Sequence, residues 1–219
     1  MRKVAVMPIK LNNERLPGKN TKVLGDKPLL CYMLNTVLQS GVADEIYVYC
    51  SDASVKDYLP RGVEFLKRPE FLDEPSSNFN QIFDEFIKSV KADVYLYVHA
   101  TAPFVSVNSI IECTNAVVEE GYDSAFCATV IQDFLWVDGK PLNFDATNLP
   151  RSQDLKPIYR ETSGIYVIPY DTYLRYHRRI GDKPFIKNVS YMESIDINEI
   201  EDFELAELML KNNNSSTRG

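Results

Sequence analysis

Residues 4–50 read VAVMPIKLNNERLPGKNTKVLGDKPLLCYMLNTVLQSGVADEIYVYC, and the alternation of apolar and polar runs in this stretch decides the fold. Val4-Ala5-Val6-Met7 is a compact apolar run stopped by Pro8, which suits a short buried strand. The polar segment from Ile9 to Lys27 holds Pro17, Gly18 and Gly25, and its length points to a function of its own. Pro28 then opens a helix whose Leu30, Leu34 and Leu38 recur at four-residue spacing beside Leu29, Met33 and Val37, and Gly41 closes it. Ile46 to Cys50 is a second buried strand, so the chain begins strand, helix, strand.

The same rhythm continues. A helix is expected near Ser54 to Leu59, started by Ser51 and Asp52, and a strand at Val63 to Leu66. Phe79, Ile82, Phe83, Phe86, Ile87 and Val90 trace the clearest amphipathic helix, followed by a strand over Val94–Val98 that ends at His99. A helix over residues 107–118 leads to a strand at Ser124–Val130. Repeated strand-to-helix alternation favours a mostly parallel sheet with helices on both faces. Between Gln132 and Arg160 the pattern fails, and this polar stretch with the lone Trp136 reads as an excursion from the core. Regularity returns as a strand at Gly164–Ile168, a helix near Tyr170–Arg178, a strand near Asn188–Met192 and a last helix from Asn198. The domain expected is residues 1–211, with a frayed polar tail over 212–219.

The 219 residues are 45% hydrophobic, enough for one domain with a proper core. No secretory pattern precedes Val4 and no apolar run approaches the roughly 20 residues of a membrane span, so a cytoplasmic protein is expected. Cys31, Cys50, Cys113 and Cys127 lie in apolar stretches without close pairing and read as reduced core residues. A net charge of −7 argues against nucleic-acid or anionic-membrane binding. Positive charge is instead local: Lys10, Arg15, Lys19 and Lys22 face only Glu14 in the window they span.

In open α/β sheets, ligands bind beyond the carboxyl ends of the strands. The candidates there are the Lys10–Asn20 loop, Ser51-Asp52, His99 to Pro103, and Asp196. Arg15-Leu16-Pro17-Gly18-Lys19-Asn20 sets two cations around a Pro-Gly turn, where glycine lets backbone amides approach an anion. Both a triphosphate cradle and an ordinary basic turn fit that spacing. The segment is not the G-x-x-x-x-G-K-[ST] loop of ATPases.

Read together with Lys67-Arg68-Pro69-Glu70-Phe71-Leu72, His99-Ala100-Thr101-Ala102-Pro103, Thr162-Ser163-Gly164-Ile165-Tyr166 and Ser194-Ile195-Asp196-Ile197-Asn198, the first loop resembles that of the CMP-sugar synthetases, the acylneuraminate cytidylyltransferases among them. The resemblance spans nearly the whole chain. It implies a three-layer α/β/α Rossmann-like nucleotidyltransferase fold with a mostly parallel mixed sheet. The implied reaction is attack by the anomeric hydroxyl of a 2-keto sugar acid on the α-phosphorus of CTP, with Mg²⁺ as cofactor. Lys10, Arg15, Lys19, Asn20, Arg68 and Thr101 would then bind the nucleotide. His99, Thr162 and Ser163 would face the acceptor, and Asp196 with Asn198 would hold the metal; Lys19, Arg15 and Asp196 carry catalysis. Relatives also suggest that the excursion joins two subunits in a homodimer.

Each role has a plainer competitor: Arg68 as a turn arginine, Asp196 as a helix-start acid, His99 as a hydrogen-bonded core histidine. Three positions depart from the family pattern. Lys10 stands for an arginine, Val105 for another arginine, and Asn198 for the second aspartate of a D-x-D pair, which removes a negative charge from the metal site. The alternatives are therefore a catalytically weakened nucleotide-binding homologue and a nucleotidyltransferase with a different acceptor.

Overall fold

The computed structural model describes residues 1–216. Seven strands form one sheet: β1 Lys3–Pro8, β2 Glu45–Cys50, β3 Glu64–Lys67, β4 Val94–Val98, β5 Ser124–Ile131, β6 Ile158–Pro169 and β7 Pro184–Asn188. Their spatial order is β7-β5-β6-β4-β1-β2-β3. The pairs β1 with β2, β1 with β4, β2 with β3 and β5 with β7 are parallel, whereas β6 runs antiparallel to both β4 and β5. The helices are α1 Leu29–Ser40, α2 Phe79–Ser89, α3 Val107–Val118, α4 Tyr170–Tyr176 and α5 Ile200–Ser216.

Side-chain alternation along β1 builds the three layers. Ala5 and Met7 pack with Leu30, Met33, Leu34 and Val37 of α1 and Ile110 of α3 on one face. Val4 and Val6 join Phe83, Phe86, Tyr95, Tyr97 and Tyr173 on the other, under α2 and α4. Helix boundaries follow local chemistry. Asn78 and Gln81 form a reciprocal capping box at α2, Ser106 caps α3, and Gly41 ends α1 at φ 63°.

From β1 the chain passes through α1 to β2 on one side, then crosses back through α2 to β4 on the other. The sheet therefore switches direction between β1 and β4, opening a crevice at their carboxyl ends. A third apolar cluster closes one wall of it: Leu16, Leu24 and Leu29 meet Ile195, Ile197 and Phe203. This contact joins the basic loop to the segment that carries Asp196.

Several boundaries differ from expectation. Residues 53–58 form a 3-10 turn rather than an α-helix, with the Asp52 carboxylate accepting from the Ser54 amide. The strand expected near Asn188–Met192 lies at Pro184–Asn188, because Phe185 and Ile186 are the residues in register with β5, while 190–194 turns back on itself through Ser194 N to Ser190 O. β6 already begins at Ile158, which ends the excursion at residue 157; inside it, Trp136–Val137 pairs with Lys140–Pro141. α5 starts at Ile200 because the Asp202 carboxylate accepts from the amides of Asn198 and Glu199 and holds them outside the helix. Residues 212–216 continue that helix, and the rest of the expected tail lies outside the described residues. The four cysteines are buried and unpaired.

Gly164 on β6 explains itself by contact: a Cβ there would stand 2.6 Å from Val105 Cγ2. Gly164→Ala is expected to destabilise the fold by about 2 kcal/mol through overpacking. Val105→Ala in the same chain should recover most of that loss, and paired thermal melts of the single and double variants measure it.

Candidate active site

The basic loop is shaped by Gly18, which takes φ 66° and sends the next residues into a short 3-10 turn. Lys19 and Asn20 point inward and are buried, at 7% and 4% exposure. Lys19 donates from Nζ to the Ile197 carbonyl at 2.8 Å, and Asn20 donates from its amide to the Lys10 carbonyl at 2.9 Å. The loop differs from expectation in one respect: the amides of Lys19, Thr21 and Lys22 already donate to carbonyls of Leu16, Gly18 and Lys19. What it offers an anion is therefore side-chain charge, from Lys10, Arg15 and Lys19, rather than these amides.

Opposite stands Arg68, just beyond β3, with its side chain only 3% exposed and its guanidinium paired to Asp73. Asp73 is a residue that the sequence reading missed. Its carboxylate also accepts from the Ser51 hydroxyl, and its carbonyl accepts from Lys10 Nζ at 3.2 Å. His99, just past β4, has its ring near Tyr97 and Tyr166, with centroids 5.2 Å and 6.0 Å away. Burial lowers its pKa to about 4, so the imidazole is neutral at physiological pH. Burial likewise lowers the Lys19 pKa, against the opposing pull of Asp196.

A cavity of about 320 Å³ is lined by Lys10, Asn13, Lys19, Asn20, Arg68, His99 and Thr101, among others. A second, about 340 Å³, shares Lys10, Asn13 and Lys19 and adds Arg15 and Asn198. Thr162 and Ser163 line neither. The Thr162 hydroxyl donates to the Cys127 carbonyl of β5 at 3.0 Å.

The polar atoms left without partners mark the same place. Among the described residues, the buried side-chain nitrogens and oxygens that lack a hydrogen bond are Asn13 Oδ1, Arg68 Nε, His99 Nε2 and Asp196 Oδ1. Unpaired buried polar atoms are costly, and three of these residues, Asn13, Arg68 and His99, line the first cavity, as in a binding site that awaits a polar ligand; Asp196 lines neither cavity but acts electrostatically on Lys19 and His99. Asp196 sits in the 195–198 segment, which the Ile197 amide ties to the Thr101 carbonyl at 2.8 Å.

Among the described residues no three His, Cys, Asp or Glu side chains gather as a metal cluster. Asp196 Oδ1 suits a cation that draws its other ligands from phosphate oxygens, as Mg²⁺ commonly does. Asn198 fits less well, since its carbonyl oxygen accepts from Arg15 Nη2 at 2.9 Å.

An open α/β sheet with buried cations at its switch point defines a phosphate-handling nucleotide enzyme. The chain belongs to the cytidylyltransferase family, which it matches over residues 4–216. It is 25% identical over 228 residues to the CMP-N,N'-diacetyllegionaminic acid synthase of Legionella pneumophila, covering 97% of this chain and 98% of that one. It is 26% identical over 161 residues to N-acylneuraminate cytidylyltransferase A of Danio rerio, of which the match spans 37%. In fold it is similar to a CMP:2-keto-3-deoxy-manno-octonic acid synthetase solved with CTP, with a TM-score of 0.71, 15% identity, and coverage of 97% of this chain and 100% of that one.

Proposed function

We propose that the protein transfers CMP from CTP to the anomeric hydroxyl of a 2-keto, nonulosonic-type sugar acid and releases pyrophosphate. The unpartnered atoms Asn13 Oδ1, Arg68 Nε and His99 Nε2, whose residues line the basic cavity together with Lys10 and Lys19, carry this reading, with the unpartnered Asp196 Oδ1 acting on Lys19 and His99. The acceptor oxygen forms a bond to the α-phosphorus as the bond from that phosphorus to the bridging oxygen of pyrophosphate breaks. Lys10, Arg15 and Lys19 hold the triphosphate, and Asn20 fixes the loop that presents them. Arg68, held by Asp73, has its Nε free for a phosphate or cytosine oxygen, and Thr101 borders the nucleotide. The neutral His99 ring supplies a hydrogen bond to the base or the acceptor. Asp196 Oδ1 seats Mg²⁺, which neutralises phosphate charge when bound.

The assay is pyrophosphate release with CTP, ATP, GTP and UTP, each against a panel of 2-keto sugar acids. Turnover is expected only with CTP and one such acid. Equal rates with another nucleotide, or turnover independent of the sugar acid, would sink this assignment.

The excursion exposes Trp136, Val137, Leu142 and Leu149, together with Tyr159 at the start of β6. Exposed apolar side chains clustered in one polar segment suit a subunit contact, so a homodimer is proposed. Light scattering should give twice the chain mass; a monomer at all working concentrations excludes it. Among the described residues no helix is long and apolar enough to cross a membrane. We propose a cytoplasmic location because the reaction consumes CTP.

A further inference from the structure

We propose that Asn198 is a positioning residue and not a metal ligand: its uncharged carboxamide holds Arg15 at the phosphate cavity without neutralising it, and covers one oxygen of Asp196 so that only the other faces a cation. The inference rests on the reading of this crevice as the CTP site.

The geometry is specific. Asn198 Nδ2 donates to Asp196 Oδ2 at 2.9 Å, and Asn198 Oδ1 accepts from Arg15 Nη2 at 2.9 Å. Turning the amide over would set its NH₂ against the guanidinium and its carbonyl against the carboxylate. Both contacts would be repulsive, so the neighbours fix the orientation. The backbone is fixed as well, because the Asn198 amide donates to Asp202 Oδ2 at 2.8 Å. With the carbonyl engaged by arginine and the NH₂ by carboxylate, the side chain has no oxygen turned to a cation beside Asp196 Oδ1.

The electrostatic consequence follows. Among the described residues Arg15 is otherwise held only by Glu199, 3.8 Å away, and both side chains are more than half exposed, so that pair is weak and screened. An aspartate at position 198 would neutralise Arg15 and put a second anion against Asp196, two charges that repel unless a cation lies between them. The amide avoids both effects. Arg15 keeps its full charge for the triphosphate, and the site can take up CTP before any metal.

The test separates nucleotide binding from metal binding. CTP affinity is measured by calorimetry in EDTA, and Mn²⁺ affinity of the CTP-loaded protein by electron paramagnetic resonance, with circular dichroism to confirm folding. Wild type is expected to bind CTP without metal. Asn198→Ala should weaken metal-free CTP binding about tenfold, the scale of one lost hydrogen bond to a charged group, and leave Mn²⁺ affinity within about twofold. Arg15→Ala should do the same, and the double variant should be no weaker than Arg15→Ala alone, because the two residues act as one unit. Asn198→Asp should weaken metal-free binding about tenfold or more and regain it with Mn²⁺.

If Asn198→Ala leaves metal-free CTP binding intact and costs Mn²⁺ affinity, Asn198 is a metal ligand and the proposal falls. Additive losses in the double variant would also overturn it, since Asn198 would then act apart from Arg15. A wild-type protein that binds no CTP with or without Mn²⁺ overturns the cytidylyl reading itself, a result distinct from either.

Discussion

Lys19→Met is expected to weaken CTP binding about 100-fold, close to 2.7 kcal/mol, while the protein stays folded. The methionine keeps most of the apolar stem of a side chain that is only 7% exposed, so the packing of the turn against the crevice survives. What disappears is the ammonium, and its place in the free protein is a costly one. Burial lowers its pKa, Asp196 opposes that shift, and the nearby Arg15 charge adds to it. In the folded chain the ammonium has the Ile197 carbonyl as its hydrogen-bond acceptor, at 2.8 Å. Losing that bond costs roughly 1–2 kcal/mol of stability, and removing a desolvated charge returns part of it, so the melting temperature should move by only a few degrees. A triphosphate gains far more from the ammonium than the fold does, because charge-assisted bonds in a partly dry crevice are strong. Calorimetry with CTP reads the affinity and a thermal melt reads the fold. An unchanged dissociation constant in a folded Lys19→Met protein would remove the basic loop from the mechanism.

The residues that were legible in the sequence owe their roles to neighbours close in the chain. Val4 to Met7 could only be a buried strand, and the Phe79 to Val90 series only an amphipathic helix, since each pattern is complete within its own segment. The glycine turn at Gly18 was readable for the same reason, whereas the burial of Lys19 and Asn20 emerges only in the fold. Other features depend on partners far along the chain. Asn198 takes its orientation from Arg15, 183 positions away, so the family resemblance left it as a weakened metal ligand. The hydroxyl of Thr162, where the register of β6 against β5 shifts between Glu161 and Tyr166, finds its acceptor at the Cys127 carbonyl, 35 positions away. Asp73 lay in an acidic stretch with nothing to single it out until the fold set it between Arg68, Ser51 and Lys10. Family resemblance supplied Arg68 and Asp196, whose local patterns fitted a surface turn and a helix start equally well.

Asp196→Asn should lower turnover about 1000-fold, near 4 kcal/mol of barrier, without harming the free protein's hold on CTP in EDTA. Oδ1 of this residue is a buried carboxylate oxygen without a partner, and Oδ2 is already covered by Asn198. The substitution keeps the shape and removes the charge. Two effects then separate by sign. Near the triphosphate an anion is lost, so metal-free CTP binding should hold steady or tighten, even though Lys19 loses the neighbour that favours its charged form. At the same time the only unpartnered buried carboxylate oxygen among the described residues is gone, so Mn²⁺ affinity of the CTP-loaded protein should fall with the rate. A structural role alone would instead lower CTP affinity and melting temperature together. Steady-state pyrophosphate release, calorimetry in EDTA and Mn²⁺ titration distinguish the two. If Asp196→Asn keeps its turnover within about tenfold of wild type, the acid is not the cation's seat, and the arrangement of Asp196 beside Asn198 serves only to anchor the start of the last helix.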